Sequence, residues 1–196
     1  MNIILSTRNP SKAEQIKAIF TGSSISILTL TEAGIKGDAI EDGVTLRENA
    51  LKKAIFAHQK GSWAMADDTG LFIAILDGSP GSRAARWAGE TATTEEITKY
   101  TLKMLEGKVD RSAIFETVVA LISPEGKKYF FSGKVKGHII EAPRTLPQLN
   151  MPYSSIFVPD GTNKVLAEMT VEEENNISHR GKAFRLVRIF LEKLSQ

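Results

Sequence analysis

AMADDTGLFIAILDGSPGSRAARWAG, residues 64–89, decides the fold, because two adjacent carboxylates interrupt apolar runs. Trp63 to Ala66 reads as a short buried strand and Leu71 to Leu76 as another, with Asp67-Asp68-Thr69-Gly70 between them. The acids then fall at a strand end, where α/β proteins carry functional groups, and neighbouring oxygen ligands suit a hard cation such as magnesium. Asp, Thr and Gly are equally ordinary turn formers, so DDTG alone leaves a structural turn open. The following residues shift the balance. Gly78 to Gly81 forms a second loop, and Arg83 to Gly89 brings two guanidiniums beside Trp87. Carboxylates near arginines are what a magnesium-bound polyphosphate requires.

Upstream, Asn2 to Leu5 is an apolar strand running into Ser6-Thr7-Arg8-Asn9-Pro10-Ser11-Lys12. Ser11 with Glu14 has capping-box spacing, and Ile16, Ile19 and Phe20 give the helix that follows an apolar face. Hydroxyls, an amide, Arg8 and Lys12 at that helix start suit an anion. The run lacks the glycine spacing of a Walker loop, so a plain strand-to-helix turn remains open. Ser24 to Leu30 reads as a second strand, and Thr31 to Gly43 as a polar loop ending in Glu41-Asp42-Gly43. A helix resumes with Leu46, Ala50, Lys53, Ala54 and Ala57 at helical spacing. Thr45 and Glu48 form a capping box, which makes Glu48 a cap and leaves Glu41 freer as a second acid. On spacing alone, Lys53 reads as part of a solvated helix face.

Downstream, Thr93 or Thr94 caps a helix reaching about Leu105. Ser112 to Ser123 and Lys127 to Ile140 read as long strands of a hairpin turning at Pro124-Glu125-Gly126, with Glu116 either facing a cleft or exposed. An irregular segment from Pro143 to Pro152 leads to a strand at Tyr153 to Val158, and Ser178 to Lys182 opens a C-terminal helix. The expected fold is therefore α/β, a single domain with a mixed β-sheet, flanking helices and a cleft.

Composition narrows the function. The chain has 196 residues, 42% hydrophobic and 24% charged, with a net charge of +2. That balance argues for no nucleic-acid or membrane partner. The absence of cysteine excludes disulfides, thiolate metal sites and a cysteine nucleophile, and fits a reducing cytoplasm. No run approaches membrane-spanning length, so a soluble cytoplasmic protein is expected. Histidines at 58, 138 and 179 support no Ser-His-Asp order, which leaves metal-assisted chemistry through carboxylates.

Five segments in order, residues 6–12, 41–50, 66–70, 80–89 and 178–183, resemble the motifs of the inosine/xanthosine triphosphate pyrophosphatase family. The resemblance spans nearly the whole chain. It implies an elongated two-lobed α/β fold, a homodimer, and magnesium-dependent hydrolysis of a nucleoside triphosphate to monophosphate and pyrophosphate. It gives Thr7, Asn9, Lys12 and Lys53 to the phosphates, with Arg8 and Thr69 beside them. Glu41 and Asp68 are given to magnesium, and Asp68 also to water activation, with Asp67 as support or an additional ligand.

The chain departs from the family at the base. Asn150-Met151-Pro152-Tyr153-Ser154-Ser155 stands where a Gly-Phe-Gly-Tyr-Asp-Pro run is usual, and Glu174 stands where lysine is usual. Met151, Tyr153, Ser154, Glu174, His179 and Arg180 are then the base-contacting candidates. A carboxylate accepts and never donates, so Glu174 is expected to favour a base carrying an amino group, adenine first and guanine or cytosine next, over inosine or xanthine. Glu174 facing solvent within its acidic run is the plainer alternative. At the level of function, the alternative is a catalytically weak nucleotide-binding regulatory homodimer, separated from the enzyme by pyrophosphate release.

Overall fold

The computed structural model describes residues 1–59 and 61–194. Strands β1 (Asn2–Leu5), β2 (Ser26–Thr29), β3 (Trp63–Ile73), β4 (Pro80–Gly81), β5 (Ser112–Ile122), β6 (Lys128–Ile139) and β7 (Phe157–Pro159) form one seven-stranded sheet. Its order is β2-β1-β3-β5-β6-β7, with β4 added to β3. β1 pairs in parallel with β2 and β3, and every other pairing is antiparallel. Helices α1 (Pro10–Phe20), α2 (Leu46–Ala57), α3 (Thr94–Met104), α4 (Val171–Ile177) and α5 (His179–Leu194) flank it.

β3 corrects the reading of DDTG as a turn at a strand end. It is one continuous strand, paired with β5 from Ala64↔Ile122 to Ile73↔Ala113, and the two acids lie inside it. Ala74–Leu76, expected as strand, is a short 3₁₀ turn. Asp and Gly are poor strand residues, but here cross-strand pairing and buried counter-charges override local preference. Successive strand residues face opposite sides, so Asp67 and Asp68 project from opposite faces of the sheet.

Met65, Val119 and Leu121 pack under Ile16 of α1 and Phe184 and Val187 of α5. Farther along the same strands, Leu71, Ile73, Phe115, Val135 and Ile139 pack with Phe157 in a second core. Between these cores the strands carry Asp67, Thr69 and Thr117, with Thr69 opposite Thr117 in register and their hydroxyls 2.7 Å apart. This polar belt divides the two lobes. On the other face, α2 lays Ala50 and Ala54 against Ala66, Ala120 and Ile122, and the small side chains let the helix approach the sheet closely.

Local chemistry sets the helix starts. Asn9, rather than Ser11, caps α1: its side chain accepts from the Lys12 amide, and Pro10 occupies the first turn, where a missing N–H is harmless. Thr45 with Glu48 forms the expected capping box, and Thr93, one of the two expected caps of α3, forms another with Glu96. A third, Thr170 with Glu173, opens α4, a helix not anticipated within the acidic run. Residues 153–156 form turns instead of strand, because the Ile156 and Phe157 amides both donate to the Tyr153 carbonyl. Two close approaches seat α5. A Cβ at Gly133 would lie 2.2 Å from the His179 carbonyl oxygen, and one at Gly181 would lie 1.8 Å from that of Asn175.

Candidate active site

β1 pairs with β3 only as far as Leu5↔Met65, and β4 joins the same edge at Leu71↔Gly81. Between them that edge of β3 has no strand partner among the described residues. A cavity of about 360 Å³ opens there, lined by Thr7, Arg8, Asn9, Lys12, Glu41, Lys53, Asp68, Thr69, Met151, Tyr153, Ser154, Glu174, His179 and Arg180, among others. The geometry therefore brings the sequence candidates to one place. It also explains how acids within a strand can face a cleft.

On the α1–α5 face, Asp67 is 1% exposed. Its Oδ2 lies 3.2 Å from Lys12 Nζ and 3.8 Å from Arg180 Nε, and accepts from Thr69 Oγ1 at 3.4 Å. Burial pushes this carboxyl up, but Lys12, Arg180 and Lys53 outweigh it and hold the pKa down at about 2. Burial lowers Lys12 from its ordinary value, with Asp67 opposing. Asp67 does not line the cavity; it balances the cations that do.

On the α2 face, Asp68 Oδ1 is 3.2 Å from Lys53 Nζ and its Oδ2 accepts from Asn49 Nδ2 at 3.1 Å. Lys53 also reaches Glu41 Oε2 at 3.4 Å. Lys53 is therefore no solvated-face lysine: it is 8% exposed, with its ammonium between two carboxylates. Burial lowers its pKa, but Asp68, Glu41 and Asp67 reverse the balance and raise it. Burial lifts Asp68 above the usual carboxylate value against the pull of Lys53 and the Asn49 amide.

Asn49 was not singled out from sequence. Its Nδ2 holds Asp68 while its Oδ1 accepts from the Gly43 amide at 2.8 Å, so one buried amide ties the Glu41 loop to the β3 acid. The two arginines after the second loop do not line the cavity. Arg86 Nη2 instead donates to the Glu41 carbonyl at 2.9 Å and steadies the same loop, whereas Arg83 pairs with Glu90 at the surface. Arg8 has a similar tethering task, donating to Asp38 and to the Ile35 and Gly37 carbonyls. Glu116 pairs across strands with Lys134 at 2.9 Å.

The other end of the cavity is uncharged except around Glu174. Tyr153 donates its hydroxyl to the Ala84 carbonyl at 2.7 Å, and Ser154 uses its own within the turn, donating to Met151 O and accepting from Gln148 N. Both line the wall with their polar atoms already engaged. His179 is buried and stacked on Phe115, ring centroids 4.6 Å apart, and burial drives its pKa well below the ordinary value, so the imidazole is neutral. Glu174 faces the cavity rather than solvent and is 2% exposed. Its partners, Gln15 and Gln148, carry no motif that sequence reading could have detected; only the fold brings residues 15, 148 and 174 together.

These features define a mixed α/β protein with a cleft in which ammonium groups and a helix start face a pair of carboxylates. More specifically, the chain belongs to the Ham1 family, whose model matches residues 3–190. A dITP/XTP pyrophosphatase of a Thermoanaerobacter species is 43% identical over 196 residues, covering 98% of each chain. That of Caldanaerobacter subterraneus is 41% identical, covering 100% of this chain and 99% of the relative. Among solved structures, a HAM1 protein from Coxiella burnetii superposes with a TM-score of 0.85 at 34% identity, over 98% of this chain and 99% of that one. A nucleoside-triphosphatase / dITP/XTP pyrophosphatase from Mycobacterium abscessus gives 0.69 at 33%, over 95% and 98%.

Proposed function

We propose that this cleft hydrolyses a nucleoside triphosphate to the monophosphate and pyrophosphate, with magnesium, in a cytoplasmic homodimer. The observation that carries the reading is the convergence of Lys12, Lys53, Glu41 and Asp68 on one cavity at the start of α1. The relatives named as pyrophosphatases support it.

Among the described residues, no group of three or more His, Asp or Glu side chains is placed to hold a metal. Magnesium does not need one, since it keeps waters and binds through one or two carboxylates plus substrate phosphates. Asp68 and Glu41, both oxygen donors within reach of one ammonium, fit that requirement. When bound, the cation would polarise the phosphate and lower the pKa of a coordinated water. The protein's part is positional and electrostatic. Lys12, the amides at the start of α1 and Lys53 neutralise phosphate charge, while Asn49 holds Oδ2 of Asp68 and Lys53 its Oδ1, which fixes the carboxylate's orientation. Asp68 orients the attacking water and takes its proton.

The same proposal includes a base preference shifted away from hypoxanthine and xanthine, because a buried carboxylate stands at the base end. The test is pyrophosphate release from a panel of nucleoside triphosphates with magnesium and with chelator. Magnesium-dependent release that Asp68→Asn abolishes is the expected result. Nucleotide binding without turnover of any triphosphate would instead favour the regulatory reading. Light scattering tests the dimer.

A further inference from the structure

We propose that the base end of the cleft is built for a guanine-type base, held through Glu174 by two adjacent N–H donors, the ring N1–H and the 2-amino group. This rests on the nucleotide reading above and makes its substrate class specific.

Glu174 Oε2 accepts from Gln15 Nε2 at 2.6 Å and from Gln148 Nε2 at 3.0 Å. Both amides are forced into this orientation, because a carboxylate offers no donor and a flipped amide would set oxygen against oxygen. Gln15 is fixed a second time: Arg180 Nη1, which can only donate, contacts its Oε1 at 2.6 Å. The network therefore runs one way, from Arg180 through Gln15 to Glu174, and Gln148 closes it from the other side. No lysine or arginine nitrogen pairs directly with Glu174 among the described residues.

An ionised carboxylate has about four acceptor positions. The two glutamines use two, both on Oε2, and Oε1 has no partner among the described residues. A carboxylate this buried is costly unless its remaining positions are filled. In the cleft that Glu174 lines, water fills those positions until a ligand enters, and a ligand that displaces that water has to bring donors of its own. Base chemistry separates the candidates. Guanine presents N1–H and an amino group side by side. Adenine's amino group is flanked by ring acceptors that would face the carboxylate, and cytosine's lies beside one. Hypoxanthine has N1–H but no neighbouring donor. Counting acceptor positions thus places guanine ahead of adenine and reverses the order expected from sequence. Guanine and its 8-oxidised form share this edge.

The deciding experiment measures kcat/KM by pyrophosphate release for guanosine, 8-oxoguanosine, inosine, adenosine and cytidine triphosphates. Binding of the corresponding monophosphates is measured in parallel. Wild-type protein is expected to favour the guanine edge over inosine by at least about tenfold, the loss of one hydrogen bond to a charged group. Glu174→Gln should bring the ratio to within about threefold, chiefly by weakening the guanine nucleotides. The two guanine arms show whether oxidation at C8 matters. Inosine or adenosine as the best wild-type substrate overturns the proposal, as does a guanine advantage undiminished in folded Glu174→Gln. The wild-type panel decides the matter even if that variant does not fold. Absence of turnover on every triphosphate would refute the hydrolase reading, and monophosphate binding would still test the base.

Discussion

Replacing Asp67 and replacing Asp68 by asparagine should have opposite consequences, although the two residues are neighbours in sequence. Asp67 is enclosed with Lys12 and Arg180, and its pKa is held at about 2 against an ordinary value of 3.8. At ~1.4 kcal/mol per pKa unit, this displacement corresponds to about 2 kcal/mol of folding stability. Leaving buried cations without a partner raises the cost of Asp67→Asn towards about 5 kcal/mol. Because the folded-state pKa lies below the unfolded one, the contribution is complete above about pH 5 and fades as pH falls towards 2. Urea denaturation at pH 7 should therefore show Asp67→Asn less stable by roughly 2–5 kcal/mol, with the gap narrowing below pH 4. Asp68→Asn, at the cavity wall, should unfold within about 1 kcal/mol of wild type but lose at least ~100-fold in turnover. Equal stability of Asp67→Asn and wild type at pH 7, or a gap that does not close in acid, would refute the charge-balance argument.

Lys53→Ala should lower kcat/KM by a similar factor for every triphosphate tested, since its ammonium lies between Glu41 and Asp68 and on the proposed reading would meet phosphate rather than the base; steady-state kinetics across the base panel checks this. Asn49→Ala should lower kcat more than it raises KM and shift the acidic limb of the pH–rate profile, because it releases Asp68 and the Glu41 loop together; Asn49→Asp, which keeps the shape but adds a carboxylate, should not rescue activity. NMR of the imidazole should find His179 still neutral at a pH where an ordinary histidine is mostly protonated, because burial first and Arg180 second disfavour the cation.

The candidate site was legible where chemistry and chain order coincide. The Thr7–Lys12 turn, Glu41 and Asp68 lie within motifs, Lys53 entered only through the family resemblance, and the structure gathers all of them at one cavity. The strand-to-turn reading of DDTG failed because local preference cannot register a ten-residue pairing with β5 or the buried partners of Asp67. α4 was missed although Thr170 and Glu173 carry a capping signal, because seven residues are too few to show a helical period. Asn49, Gln15 and Gln148 were invisible for a different reason: their partners lie 19 to 159 residues away. The base edge they imply depends on which amide faces which carboxylate, and only three-dimensional placement decides that.

The bare segment of the β3 edge also bears on how the protein avoids strand addition at its own cleft. Unpaired strand edges invite a second chain to add its own strand, and proteins usually blunt them with charge, brevity or a cover. Here the opening is bounded by β1 at Met65 and by β4 at Leu71, so an incoming strand meets a stop at both ends. The span is roughly 16–20 Å at ~3.3 Å per residue, and its floor carries a buried ammonium–carboxylate cluster that an apolar strand cannot solvate. The interruption that admits a small, highly charged ligand thus denies entry to the extended peptides that would seed aggregation.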